Sequence, residues 1–247
     1  MFLQTHNLCK DFGALRAVHS VNLKIGKGVH SVIGPNGAGK TTLFNLLTGF
    51  LKPTEGKIFY LNKEITDLPP YEISQLGLAR SFQITSIFPD LSVYENLRVA
   101  VQSRLKASYN FLRSFKKLKD VDEKTQEILN RVGLKDMAET SAKNLSYGLQ
   151  RGLDIGISLA TDPKLILLDE PTSGMDRKDS AQIIELISVI SKRIPIVLIE
   201  HNIDAVLSIS DMITVLYQGA ILAEGGPSEI QKNEKVQEAY LGGYRVA

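Results

Sequence analysis

One short run in this 247-residue chain has the composition of a loop that holds the phosphates of a nucleoside triphosphate. It reads Gly34-Pro35-Asn36-Gly37-Ala38-Gly39-Lys40-Thr41-Thr42, which matches the pattern G-x-x-x-x-G-K-T. Glycines allow the backbone to curl so that successive N–H groups point at phosphate oxygens. Lys40 supplies a cation for the β- and γ-phosphates, and the Thr41 hydroxyl is placed to bind Mg²⁺. A glycine-rich turn with an incidental lysine is the alternative interpretation.

Two later stretches bring acidic and imidazole side chains to the ends of apolar runs. Residues 165–168 and 196–199 are continuously apolar and are followed by Asp169-Glu170 and Glu200-His201. Such runs are typical of buried parallel strands, whose carboxyl ends form the ligand-binding edge of an α/β sheet. Asp169 is suited to hold Mg²⁺ through water, Glu170 to polarise an attacking water as a general base, and His201 to contact the γ-phosphate. Solvated acids and a structural histidine are the alternatives.

The elements that position these groups follow from the surrounding apolar pattern. Val29-His30-Ser31-Val32-Ile33 is short and β-rich, and the apolar residues of 43–50 recur at helical spacing. A strand, this loop and a helix place the phosphates at a helix N-terminus, where the helix dipole favours anions. Residues 1–30 alternate short apolar runs with glycine and charge, which indicates antiparallel strands. Strands and helices that alternate further on predict a mainly parallel sheet with helices on both faces, hence the α/β class.

Bulk composition narrows the class of protein. Hydrophobic residues make up 43% and charged residues 23%, which is ordinary for a soluble globular protein. A net charge of +2 is too mild to indicate a nucleic-acid partner, and the single cysteine excludes an internal disulfide. No run approaches the length of a membrane-spanning helix, and no signal peptide is expected from the first residues. Any link to a membrane is therefore expected to go through a partner or the surface.

With three further motifs, these residues resemble the ATP-binding subunit of ABC transporters over essentially the whole chain. The resemblance rests on six elements in the family's order: the Walker A loop 34–42, the Q-loop glutamine Gln83, the signature sequence 145–151, Walker B with the catalytic glutamate at 165–170, the D-loop Ser173-Gly174-Met175-Asp176, and the switch histidine His201. Phe12 lies where the family places an aromatic ring that stacks on adenine, with Val18 beside it.

The resemblance implies a P-loop NTPase (RecA-like) core with a mainly parallel sheet, an N-terminal antiparallel β subdomain and an α-helical subdomain. The expected division is 1–84 and 161–247 for the nucleotide-binding core with its β subdomain, and 85–160 for the helical subdomain. It also implies an ATPase with ATP and Mg²⁺ as ligands. Mg²⁺ is expected on Thr41, Gln83 and Asp169. Ser146, Tyr147 and Gly148 are expected to act in trans, on ATP held by a second chain, although a plain helix N-cap at Ser146 would have the same geometry.

The implied partners are a second ABC ATPase subunit in a homo- or heterodimer, integral membrane permease subunits and, indirectly, a solute-binding protein, with no nucleic acid. The implied location is cytoplasmic, at the inner face of the cell membrane through the permeases. Four local blocks resemble the ATPases of branched-chain amino-acid uptake: Leu43-Phe44-Asn45-Leu46-Leu47-Thr48-Gly49-Phe50, Ala79-Arg80-Ser81-Phe82-Gln83, Leu145-Ser146-Tyr147-Gly148 and Ala239-Tyr240-Leu241-Gly242-Gly243. Urea or amide uptake, lipopolysaccharide export and a non-transport soluble ABC ATPase are the alternatives.

Two features leave alternatives open. Leu149 stands where the family usually has a polar side chain, and Gly148, Gly152 and Gly156 share one helix face. These departures indicate either close packing of that face or a weakened signature helix with slow ATP turnover. The basic segment 104–119 is either a surface for anionic lipid or a membrane partner, or a solvated helical hairpin that packs on its own subdomain.

Overall fold

The computed structural model describes residues 1–81, 87–104 and 114–241. The predicted Q-loop residue Gln83 and most of the basic segment 104–119 lie outside the described residues. Within the described ranges, no helix is long and apolar enough to cross a membrane.

The elements follow one another in this order. The first half of the chain contains β1 (Leu3–Phe12), β2 (Leu15–Val21), β3 (Lys24–Ile25), β4 (Val29–Ile33), α1 (Lys40–Leu47), β5 (Glu55–Tyr60), β6 (Lys63–Glu64), α2 (Pro70–Gln75), β7 (Leu78–Arg80) and α3 (Val93–Arg104). The second half contains α4 (Ser114–Arg131), α5 (Tyr147–Ala160), β8 (Leu165–Asp169), α6 (Arg177–Ser191), β9 (Ile196–Ile199), α7 (Ile203–Ile209), β10 (Met212–Tyr217), β11 (Ala220–Gly225), α8 (Pro227–Lys232) and α9 (Glu234–Leu241).

The amino-terminal strands form an antiparallel sheet, as the sequence predicted. Its order is β2-β1-β5-β6, with β3 paired to β1. Leu8 lies opposite Val21 and Thr5 opposite Ile58, and all four side chains are buried. One core joins this sheet to α1 and to one face of the second sheet. The helix that follows the glycine-rich loop is therefore packed against both sheets, which fixes where the loop lies.

The second sheet is parallel except at one edge, which also confirms the prediction. Its order is β11-β10-β4-β9-β8-β7, and only the β10–β11 pair is antiparallel among the described strands. Every residue of β4, β8 and β9 is buried. Successive side chains alternate between faces: Leu165 and Leu167 join the core around α1, whereas Ile166 and Leu168 join a second core with α3, α4, α5 and α6. The polar groups Asp169, Glu170, Glu200 and His201 come at the ends of β8 and β9.

Candidate active site

The glycine-rich loop connects β4 to α1. Conformation favours glycine at three of its positions, and lack of space requires it at two of these. Gly34, Gly37 and Gly39 have φ of 154°, 80° and 100°, values that side chains with a Cβ rarely adopt. A Cβ at Gly34 would lie 2.2 Å from the carbonyl oxygen of Leu216, and one at Gly39 would lie 2.4 Å from that of Ala17. The loop therefore curls tightly over the end of β4 and leads directly into the N-terminus of α1.

Lys40, the first residue of α1, is folded back onto this loop. Its Nζ donates to the carbonyl oxygen of Gly34 at 2.7 Å and to that of Pro35 at 3.1 Å. Burial lowers the pKa of Lys40, while the carboxylates of Glu170 and Asp169 act in the opposite direction. The ammonium group is thus largely out of water and within the electrostatic reach of two acids.

A cleft of about 340 Å³ lies over the loop and brings most of the sequence-predicted groups together. It is lined by Phe12, Leu15, Ala17, residues 36–42, Glu170 and His201. Phe12 is 47% exposed at the end of β1, so its ring is available to stack on a planar ligand. Val18 does not line this cleft: it is 1% exposed and packs in the core shared by the two sheets. The expected place of Val18 beside the ring of Phe12 stays a prediction.

The ends of β8 and β9 lie side by side, as the sequence predicted. Asp169 is in register with Ile199, and the backbone N–H of Glu170 donates to the carbonyl of Ile199 at 2.9 Å. Beyond these strands, the Oε1 of Glu170 and the Nε2 of His201 are 2.7 Å apart. Glu170 has a left-handed φ of 48°, which an L-residue holds only when its surroundings enforce it. The strand ends therefore deliver a carboxylate and an imidazole as a hydrogen-bonded pair to the cleft above the loop.

Asp169 is held by Arg80, a residue whose part in the site the sequence did not indicate. The Nη2 of Arg80, in β7, donates to Asp169 Oδ2 at 2.9 Å, and both side chains are more than nine-tenths buried. The Nη1 of Arg80 also donates to Asn45 Oδ1 at 2.7 Å and to Thr48 Oγ1 at 3.2 Å in α1 and at its C-terminus. Arg80 thus ties the acid at the end of β8 to the helix that follows the loop.

Glu200 is a second residue whose part in the site the sequence did not indicate. It is buried, and its Oε1 accepts from the backbone N–H and the hydroxyl of Thr172. Its Oε2 accepts from the backbone N–H of His201 at 3.0 Å. One carboxylate therefore binds the chain at Thr172, two residues after Glu170, and at the backbone of His201.

Comparison with known proteins gives the family. A family model described as "ABC transporter" matches residues 18–173, which is more than half of the chain. The chain belongs to the ABC transporter family of ATP-binding subunits. A second model, described as "Branched-chain amino acid ATP-binding cassette transporter", matches residues 220–245 of this ABC ATPase.

Individual relatives agree with this family. The ABC ATPase is 40% identical to the "High-affinity branched-chain amino acid transport ATP-binding protein LivG" of Escherichia coli (strain K12), with 97% of each chain covered. It superposes with a TM-score of 0.85 on the ADP conformation of MJ1267, an ATP-binding cassette of an ABC transporter, at 32% identity and with 98% of each chain covered. It also superposes with a TM-score of 0.76 on a dimeric post-hydrolysis state of the ATP-binding cassette MJ0796 bound to ADP and Pi, at 25% identity, with 91% of this chain and 98% of that one covered. The P-loop NTPase fold, nucleotide binding and ATPase activity of the chain are thereby shown.

The residues predicted to form the signature of this ABC ATPase lie apart from the cleft. Ser146 caps α5, since its hydroxyl accepts from the backbone N–H of Leu149 at 3.4 Å. Ser146 and Tyr147 are exposed, whereas Gly148 is buried against α6, where an added Cβ would lie 2.7 Å from Asp179 Cγ. None of Ser146, Tyr147 and Gly148 lines the cleft above the loop. Within one copy of the chain, the structure therefore brings Lys40, Thr41, Glu170 and His201 together but leaves the signature outside.

Packing accounts for part of the unusual signature. Leu149 is partly buried against the core of the helical region, and the side-chain amide of Gln150 donates to the carbonyls of Ala142 and Leu145. A Cβ at Gly156 would lie 3.0 Å from Leu97 Cδ2, so that glycine allows a close approach of α3. A Cβ at Gly152 would have nothing within 4 Å. Close packing thus explains Gly148 and Gly156 but not Gly152.

Proposed function

We propose that this ABC ATPase powers an importer of branched-chain amino acids. The LivG relative and the carboxyl-terminal family match support this substrate class over urea, amides or lipopolysaccharide. The observation that carries the catalytic part of the proposal is the cleft, because it joins the phosphate-binding loop to the Glu170–His201 pair. The roles of the individual residues in this cleft are part of the same proposal.

ATP lies in the cleft with its adenine on the exposed ring of Phe12 and its phosphates on the loop. Backbone N–H groups of 36–42 and the N-terminus of α1 supply the dipoles for the β- and γ-phosphates. Lys40 exchanges its two carbonyl acceptors for phosphate oxygens. Because this ammonium is already largely removed from water, its interaction with phosphate is stronger than that of an exposed lysine.

Glu170 acts as the general base. Its carboxylate takes a proton from the water that attacks the γ-phosphate, and the hydrogen bond to His201 at 2.7 Å fixes the direction of that carboxylate. Glu200 holds the backbone at His201 and at Thr172, so base and imidazole keep one relative position. His201 is placed to contact the γ-phosphate from the same side.

The described residues fit Mg²⁺ at this site. The Thr41 hydroxyl and the Asp169 carboxylate are oxygen donors, which Mg²⁺ takes together with substrate phosphates. Gln83, the third predicted ligand, lies outside the described residues. Mg²⁺ bound there would neutralise charge on the phosphates. Arg80 keeps the Asp169 carboxylate in place through a buried ion pair.

A second ATPase subunit, identical or different, supplies the signature that completes each ATP site. This part of the proposal is supported by the position of Ser146, Tyr147 and Gly148 outside the chain's own cleft, and by the dimeric MJ0796 structure. Permease subunits bind the ATPase at the inner face of the membrane, with a solute-binding protein acting on the permeases. The division into a core (1–84 and 161–247) and a helical subdomain (85–160) belongs to the same proposal.

The test is uptake by the assembled transporter. The chain is co-expressed with its permeases, reconstituted in proteoliposomes, and supplied with ATP and labelled leucine, isoleucine, valine or urea. We expect ATP-dependent uptake of the three amino acids, and a loss of ATP turnover of about 10²- to 10⁴-fold for Glu170→Gln. An exposed change, Arg193→Lys, is the control. Uptake of urea alone would overturn the substrate class, and near-normal turnover in Glu170→Gln would overturn the base.

A further inference from the structure

Arg151 is a buried cation that does not line the cleft and has no part in the proposed mechanism. It lies in α5, four residues after Tyr147, and is 1% exposed. Its guanidinium donates to three consecutive backbone carbonyls at the end of β8: Nη2 to Asp169 at 2.9 Å and to Glu170 at 3.0 Å, and Nε to Pro171 at 3.3 Å. Its Nη1 is 3.6 Å from the carboxylate of Asp154, which is also buried. A single planar side chain thus binds the backbone on both sides of Glu170.

These contacts explain how Glu170 keeps its left-handed backbone. An L-residue at φ 48° is strained unless its surroundings hold it. On one side, the Glu170 N–H is bound to the carbonyl of Ile199. On the other, the Glu170 carbonyl is bound by Arg151. The backbone torsions of Glu170 determine the direction of its carboxylate, so the position of the guanidinium bears on the 2.7 Å contact with His201.

The same side chain connects two functional regions. Ser146, Tyr147 and Gly148 are at the N-terminus of α5, one helical turn from Arg151. In the proposed dimer, that N-terminus contacts ATP held by the partner, whereas Glu170 serves the ATP of its own chain. A shift of α5 that accompanies contact with the partner's ATP changes the position of the donors that hold Glu170.

From this geometry we infer that Arg151 is a positioning residue: it sets the direction of Glu170 and links the signature helix to the hydrolysis of the chain's own ATP. The inference rests on the proposed role of Glu170 as base. The role requires the forked geometry of arginine, because the guanidinium binds three carbonyls with N–H donors that lie in one plane. A lysine ammonium does not reproduce this arrangement.

The experiment compares Arg151→Lys with wild type in the assembled transporter. The control is Arg193→Lys, at an exposed position that does not line the cleft. We expect kcat for ATP to fall by about 10- to 100-fold, the cost of a small displacement of a reacting group, while KM for ATP changes by less than about threefold. A purely structural role would instead reduce the amount of folded protein or raise KM along with the loss of kcat. That result would overturn the inference.

A second measurement tests whether Arg151 acts through Glu170. Arg151→Lys is combined with Glu170→Gln, and single-turnover ATP cleavage is measured in both backgrounds. We expect the effect of the lysine to shrink to less than about twofold once Glu170 is replaced, because residues that act as one unit are not additive. An equal loss in both backgrounds would refute the link. If Arg151→Lys does not fold, Asp154→Asn, which removes the acidic partner of Arg151, is put through the same pair of measurements with the same two outcomes.

These results are separable from the failure of the proposed function. The ratio of variant to wild-type ATP turnover is independent of which solute is transported. If Glu170→Gln retains near-normal turnover, the role of Glu170 as base fails before Arg151 is considered. If Glu170→Gln is inactive but Arg151→Lys is normal, only the inference about Arg151 fails.

Discussion

The ion pair between Arg80 and Asp169 offers a direct test of how the site is held together. The guanidinium and the carboxylate are 2.9 Å apart, and their side chains are 7% and 8% exposed. Replacing Arg80 with methionine keeps most of the volume of the side chain but removes its charge. It also removes the donor that Asn45 and Thr48 share at the other end of the guanidinium. Asp169 is then left as a buried carboxylate without this cation.

The magnitude follows from the burial of both groups. Breaking a buried ion pair by removing one partner costs about 3–5 kcal/mol, mostly because the remaining charge is uncompensated. With a urea m-value of about 2 kcal/mol/M, this is a loss of roughly 1.5–2.5 M in the midpoint of unfolding. The double variant Arg80→Met/Asp169→Asn removes both charges. Its loss in free energy of unfolding should be smaller than the sum of the losses of the two single variants by about 1–3 kcal/mol.

The assay is urea unfolding of the purified chain without nucleotide, monitored by circular dichroism. The matched control is Arg16→Met, since Arg16 forms an ion pair with Asp11 at 2.7 Å that is open to solvent. The control midpoint should move far less than that of Arg80→Met, because water replaces the lost partner. Equal shifts for Arg16→Met and Arg80→Met, or strict additivity of Arg80→Met and Asp169→Asn, would refute the reasoning.

Three further predictions concern stability. Burial lowers the pKa of His30 to about 4. Below pH 6.5 the unfolded chain therefore binds more protons than the folded chain. The free energy of unfolding should fall by about 2 kcal/mol from pH 7 to pH 5. Urea midpoints at the two pH values check this, and His30→Gln should lessen the dependence; an unchanged pH dependence in that variant would count against it. Gly156→Val should destabilise by about 1–3 kcal/mol by overpacking, whereas Gly152→Ala should stabilise by up to about 1 kcal/mol; thermal unfolding that ranks them the other way would contradict the packing. Glu200→Ala should cost about 1–3 kcal/mol because buried donors at Thr172 lose their acceptor, with Glu200→Gln costing less by the same unfolding assay; equal losses would show that the acceptor is unimportant.

The parts of the site that the sequence predicted are those encoded by local pattern. The phosphate-binding loop 34–42 could be predicted from the sequence because its glycines and Lys40 have to be close together in sequence to curl around phosphate. The positions of the acids at the ends of β8 and β9 could also be predicted. An apolar run followed by an acid is typical of a strand that ends at the ligand-binding edge of the sheet. The parallel sheet and the antiparallel amino-terminal sheet followed from the same periodicities.

The residues that were missed act over long separations in sequence. Arg80 meets an acid 89 residues later, and Arg151 binds carbonyls 18 to 20 residues later. No local pattern pairs such groups. A signal was nevertheless present for Arg151, because a charged residue lies among the apolar and glycine positions that α5 buries. β7, which contains Arg80, has only three residues, too few to show a strand periodicity. Val18 is buried in the core between the two sheets.

The end of β8 shows why residue types can be local while their directions are not. In an extended strand, neighbouring side chains point to opposite faces, so Asp169 and Glu170 would diverge if the strand simply continued. The left-handed φ of Glu170 breaks that alternation and turns its carboxylate toward His201. This conformation is not favoured by Glu170 itself. The N–H of Glu170 is bound to the carbonyl of Ile199 and its carbonyl is bound by Arg151, whereas Arg80 binds the side chain of Asp169. Two arginines from different elements thus fix two adjacent acids, one through its carboxylate and the other through its backbone.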